Sequence, residues 1–203
     1  AFGVLIAQLL CLVAFIKGEI CPGQRGRLIK ANVCFALYWF VWLGMNLASP
    51  HHYVMTDIVS LCGLSAVYAV WKQPKDESAR RGFLLMASLV SGLGVIAYLM
   101  IFFGNPTPNF VQYNPLAQAV MSVLLANLCL SVSRNRLQGF IALLPLLMIL
   151  LLALNALAVL IFIIYQGVSA VSFDGVFAYG IYFLLHLVMA GILLLHSVNK
   201  WKL

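Results

Sequence analysis

The chain has 203 residues, of which 64% are hydrophobic and 8% charged, and its formal net charge is +7. Water-soluble domains carry about 25% charged residues, so this composition excludes an ordinary soluble fold. The basic balance does not indicate nucleic acid either: the sequence offers no basic face interleaved with exposed aromatics, and no nucleic-acid partner is expected.

Seven apolar segments follow one another, roughly 1–16, 31–48, 53–71, 83–103, 115–132, 139–166 and 175–198. Each approaches the length a helix needs to cross a ~30 Å hydrocarbon layer. The expected fold class is therefore all-α, a polytopic membrane bundle of seven transmembrane helices. The connections are too short to fold separately, so residues 1–203 are expected to form a single transmembrane domain. The first segment lacks the basic lead and the small-x-small cleavage site of a signal peptide and reads as a slightly short spanning helix. In the fourth, Ala87, Ser88, Ser91, Gly92, Gly94 and Ala97 would allow close backbone approach, which predicts a central position for that helix. The sixth contains the uncharged run Ile141–Tyr165, whose one strongly polar side chain is Asn155. Pro145, near its start, should leave a carbonyl unpaired and bend the helix.

The placement of charge predicts orientation. Lys17, Arg25, Arg27 and Lys30 lie between the first and second segments, and Lys72, Lys75, Arg80 and Arg81 between the third and fourth. Arg134 and Arg136 lie between the fifth and sixth; Lys200 and Lys202 follow the seventh. The connections 49–52, 104–114 and 167–174 hold no Lys or Arg, so all 12 basic residues share one side. The positive-inside rule makes that side cytoplasmic, with the N-terminus outside and the C-terminus inside, in a multi-pass protein of the inner membrane. Tyr53, Tyr113 and Tyr165 fall at the outer boundary and Trp71 and Trp201 at the inner one, whereas Trp39 and Trp42 are deeper and should pack between helices. None of Cys11, Cys21, Cys34, Cys62 and Cys129 falls in an outer loop, so no structural disulfide is expected.

Polar groups inside the apolar slab are the functional candidates, because ionisable side chains are costly there. They are Asp57, about one turn into the third helix, and His186 near the centre of the seventh, with Gln8, Asn46, Asn127 and Asn155 among the uncharged groups. Counting inward from the connection between the last two helices puts Asn155 and His186 both about 16 Å deep. They are predicted to face the interior near one another, either as a structural hydrogen bond or as a substrate or proton site. His51, His52, Asp57 and Asp174 gather at the outer edge without a metal-ligand spacing, so no metal and no cofactor is expected.

Three function classes follow. Sparse buried chemistry and short loops favour a non-enzymatic accessory or signalling subunit, with the lipid bilayer and a protein partner or second copy as its surroundings. A small transporter with a midplane site at Asn155 and His186 is the alternative. The run Gly63-Leu64-Ser65-Ala66-Val67-Tyr68-Ala69 resembles the glycine–x–serine–glycine segment of rhomboid intramembrane proteases, although Ala66 replaces the second glycine. That resemblance implies an intramembrane hydrolase using Ser65; Ser65 lies at about the depth of His186, so a serine–histidine dyad between them is geometrically conceivable.

Overall fold

In hydrocarbon a backbone N–H or C=O has no water to bond, so an apolar chain must close its hydrogen bonds within each segment, and the helix does this locally. The structure, a computed structural model, describes residues 1–18, 20–50, 52–104, 113–133, 138–166 and 173–199. All seven apolar segments are helical: α1 Phe2–Lys17, α2 Pro22–Ala48, α3 Val54–Trp71, α4 Glu77–Gly104, α5 Pro115–Ser133, α6 Gln138–Gln166 and α7 Phe173–Asn199. Among the described residues there is no strand.

Two helices begin more than a turn earlier than the apolar pattern predicts. α2 starts at Pro22, where a fixed φ and a missing N–H suit the first helical position, and the Cys21 N–H donates to Gln24 Oε1 at 3.3 Å. α4 starts at Glu77, with the Asp76 carboxylate accepting from the Ala79 N–H at 2.8 Å. These first turns are polar, so hydropathy misses them while capping chemistry marks them. α6 continues through Pro145. Six of the helices are long and apolar enough to cross a membrane; α1, with 16 residues, is the shorter one.

The exterior is apolar. Leu37 is 71% exposed, Phe40 63%, Leu187 72% and Ile192 61%. Such a surface is untenable in water and natural in a lipid solvent, where the hydrophobic effect no longer distinguishes outside from inside. The protein is a multi-pass membrane protein whose helical bundle contacts the bilayer directly.

The core forms around α1, not α4 as the small-residue pattern predicted. Leu5, Ala7, Cys11 and Leu12 of α1 are fully buried, and the helix packs on α5 and α4 and more lightly on α3 and α2. α4 instead lies against α3 and α1, burying the stripe Leu84, Ala87, Ser91, Gly94 and Ala97 and exposing Leu85, Leu89, Leu93 and Ile96. Its small residues do serve close packing: a Cβ on Gly94 would lie 2.9 Å from Cys62 Cβ and 3.2 Å from Leu5 Cδ1. They thin one side of the helix without making it central. α6 bridges α5 to α7, and α7 packs chiefly on α6.

One buried polar clamp ties three helices at the core. The Trp39 indole N–H donates to Gln8 Oε1 at 3.2 Å, and Gln8 Nε2 donates to the Gly63 carbonyl at 3.2 Å. Gln8 and Trp39 are both buried, and glycine at position 63 lets the indole ring lie flat on α3. Trp39 thus packs between helices as the sequence predicts. All five cysteines are free.

Candidate functional site

α6 and α7 bring Asn155 and His186 into contact. Asn155 is buried and Asn155 Nδ2 lies 2.8 Å from His186 Nε2. His186 Nδ1 lies 2.9 Å from the Tyr182 carbonyl one turn earlier. A carbonyl can only accept, so Nδ1 carries the proton and Nε2 is the acceptor for the Asn155 amide. The second amide hydrogen of Asn155 goes to the Tyr182 hydroxyl at 2.5 Å, and Asn155 Oδ1 accepts from Asn114 Nδ2 at 2.7 Å. Both ring nitrogens of His186, and both hydrogens and the oxygen of the Asn155 amide, are therefore engaged within the chain.

Asn114 and Tyr182 were not among the candidates read from the sequence. Asn114 had a legible signal, because asparagine immediately before Pro115 marks a helix N-cap, and its Oδ1 does accept from the Leu116 N–H at 2.9 Å. Its second role, reaching Asn155 on a neighbouring helix, has no local signature. This contact also sets relative depth: the first turn of α5 meets α6 near the middle of α6's apolar span, Ala142–Tyr165. α5, with 19 residues, is some ten residues shorter than α6, with 29. At ~1.5 Å per residue it reaches roughly 15 Å less far.

Asp57 belongs to a different cluster and is not brought to Asn155 or His186. One carboxylate oxygen accepts from Asn46 Nδ2 at 2.8 Å, and the other lies 2.5 Å from His52 Nε2. The remaining Asn46 amide hydrogen goes to the Tyr53 carbonyl at 3.0 Å. His51 and the side chain of Asp174, the other members of the outer-edge group, lie outside the described residues. Among the described residues no three His, Cys, Asp or Glu side chains converge as metal ligands.

Ser65, the nucleophile of the hydrolase alternative, is not brought to His186. Ser65 lies on an exposed face of α3, and its hydroxyl donates to the Leu61 carbonyl one turn back at 2.7 Å. His186 is engaged by Asn155 and Tyr182, and its helix packs chiefly on α6 rather than on α3.

A cleft of about 710 Å³ opens at the end of the bundle where α2 ends and α3 and α5 begin. Its lining includes Trp42, Met45 and Asn46 of α2, Thr56 of α3 and Tyr98 of α4. Gln118 of α5 closes one wall: its Nε2 donates to the Tyr98 hydroxyl, and its Oε1 accepts from the Gly3 N–H at 3.4 Å. Tyr98 in turn donates to the Tyr113 carbonyl at 3.1 Å. Neither Asn155 nor His186 lines this cleft.

A family model described as an integral membrane domain matches residues 1–203. The chain belongs to this integral membrane domain family. A Haemophilus influenzae relative described as an uncharacterized protein is 58% identical over 202 residues, covering 99% of this chain and 76% of the relative. No solved structure matches the chain. Besides the Gln8–Trp39 clamp, the described residues of the integral membrane domain thus set a closed interhelical network at Asn155 and His186 and an amphipathic cleft at one end in an apolar bundle.

Proposed function

We propose that this integral membrane domain is a non-enzymatic module, an accessory or signalling subunit of a complex in the inner membrane. The observation that carries this reading is the closure of the Asn155–His186 network. Its amide and imidazole groups bond one another, Tyr182 and Asn114, so they serve to orient α6 and α7 and offer no group to a passing substrate. A transport site at these residues would need a cavity beside them, and the cleft does not extend to either. The role that fits is registry: a polar pair that is satisfied in only one rotation and depth of the last two helices. α7 has no buried residue within its apolar span, which leaves most of its surface to lipid or to a partner in the membrane.

The basic residues support an orientation. Of those described, Lys17, Lys72 and Lys75 lie at or beyond helix ends at the α1–α2 and α3–α4 connections, and Arg25, Arg27, Lys30, Arg80 and Arg81 lie within the first three turns of α2 and α4, which those connections lead into. Arg27 Nε donates to the Ser133 carbonyl at 3.3 Å, which brings the end of α5 to the same side. Arg134, Arg136, Lys200 and Lys202 lie outside the described residues. By the positive-inside rule that side is cytoplasmic.

Purification in a mild detergent, followed by mass measurement of the protein complex, tests the reading. A defined assembly heavier than one chain, with a constant stoichiometric partner or a second copy, is expected. A monomer that catalyses solute flux in proteoliposomes, with the flux abolished in His186→Ala, would overturn it and restore the transporter alternative. Labelling of an introduced cysteine at Lys72 from outside intact cells would reverse the orientation.

A further inference from the structure

The cleft at the end of the bundle contains a hydrogen-bond acceptor held in a fixed position. Both amide hydrogens of Asn46 are engaged, one by Asp57 Oδ1 at 2.8 Å and one by the Tyr53 carbonyl at 3.0 Å. The amide therefore cannot flip without breaking both bonds, and its oxygen is left with no donor among the described residues. The Asp57 carboxylate is held in turn by His52 Nε2 at 2.5 Å. Asp57 is thus a positioning residue: it does not line the cleft but fixes the side chain that does.

The rest of the lining defines what such an acceptor would meet. Trp42 and Tyr98 provide flat aromatic walls, and Met45 adds aliphatic surface. Thr56 and Tyr113 bring hydroxyl groups that have no hydrogen-bond partner among the described residues. No acidic or basic side chain lines the cleft, and the Ala1 amino group on its wall is already engaged by Gln118 Oε1 at 3.4 Å. A phosphate or ammonium head group entering it would lose solvation and meet no charged side chain on the wall, which is unfavourable. An uncharged head group bearing hydroxyls would instead donate to Asn46 Oδ1 and exchange hydrogen bonds with Thr56 and Tyr113. Its apolar remainder would lie along Met45 and the aromatic faces. A volume of about 710 Å³ is within the range of small-molecule sites, commonly about 300–1,000 Å³.

We propose that this cleft binds an uncharged amphiphile with a hydroxylated head group, a neutral glycerol-type lipid being the simplest example, and that Asn46 is the residue that recognises the hydroxyl. The site is separate from the Asn155–His186 network, so the inference goes beyond the accessory reading and can fail without it.

The test uses the full-length protein in nanodiscs of phosphatidylethanolamine and phosphatidylglycerol. The probe is a 1-monoacylglycerol with a 9,10-dibrominated chain, which quenches tryptophan emission on contact. Saturable quenching is expected, above the level given by dibrominated phosphatidylcholine at the same mole fraction and largely lost in Trp42→Phe. Asn46→Leu should raise the half-saturating mole fraction about tenfold, and Thr56→Val severalfold in the same direction. Asp57→Ala should weaken binding about threefold, whereas Asp57→Asn, which keeps an acceptor for the Asn46 amide, should restore it. Thermal melts of each variant check the fold. Quenching that rises linearly with both probes, equal saturation by phosphatidylcholine, or an Asn46→Leu and Thr56→Val pair that melt and bind like the wild type would each overturn the proposal.

Discussion

Gly63→Ala is the sharpest test of how the core is built. The added methyl would lie 2.1 Å from Trp39 Cε2 and 2.5 Å from two further ring atoms, well inside contact distance. Trp39 is fully buried between helices and cannot swing into lipid without releasing the Gln8 oxygen it donates to. Overpacking of a closed core costs about 1–3 kcal/mol, and the depth of this overlap argues for the upper end. Loss of the Trp39–Gln8 and Gln8–Gly63 hydrogen bonds adds about 0.6 kcal/mol each, the average for interhelical bonds in membranes. Replacing glycine by alanine in a helix interior returns about 1 kcal/mol. The net expectation is about 3 kcal/mol of destabilisation, roughly a hundredfold in the folding equilibrium. Reversible unfolding in mixed micelles with increasing dodecyl sulfate, followed by tryptophan emission and circular dichroism, would measure it. The double variant Gly63→Ala, Trp39→Leu should recover a large part of the loss, because the methyl then meets a smaller, flexible side chain. A single variant within about 0.5 kcal/mol of wild type would refute the packing argument.

The other expectations concern separate parts of the bundle. Asn155→Leu removes the shared partner of Asn114, Tyr182 and His186 and should lower stability by about 2 kcal/mol, readable in the same unfolding assay; no change would mean the network contributes nothing. Gly94→Ala should destabilise by about 1 kcal/mol through contact with Cys62 and Leu5, whereas Gly92→Ala, which meets nothing within 4 Å, should be neutral or slightly stabilising; the reverse order would show α4 rotated from its position here. Ser65→Ala should leave stability within about 0.5 kcal/mol, and the wild type should resist a fluorophosphonate probe; stoichiometric labelling at Ser65 would reinstate a hydrolase.

The sequence by itself determined the helices, their membrane setting and the collection of basic residues between alternate pairs. These depend on one-dimensional properties: runs of apolar side chains long enough for a bilayer, and a backbone that must bond itself within each run. The depth match of Asn155 and His186 was legible for the same reason, since residues counted from a shared connection become distance along two antiparallel rods. Only the tertiary structure decided which face of each rod meets which neighbour. In water a polar stripe marks the outside of a helix; in lipid the outside and the interior are both apolar, so rotation about the axis leaves little trace in sequence. This is why the small residues of α4 suggested a central helix when α1 is the buried one, and why Ser65 could be imagined beside His186 when it faces outward. It is also why the grip of Asp57 on Asn46 and the reach of Asn114 to Asn155 emerged only in three dimensions: they depend on axial offsets between helices, which side-chain packing sets and local sequence does not record.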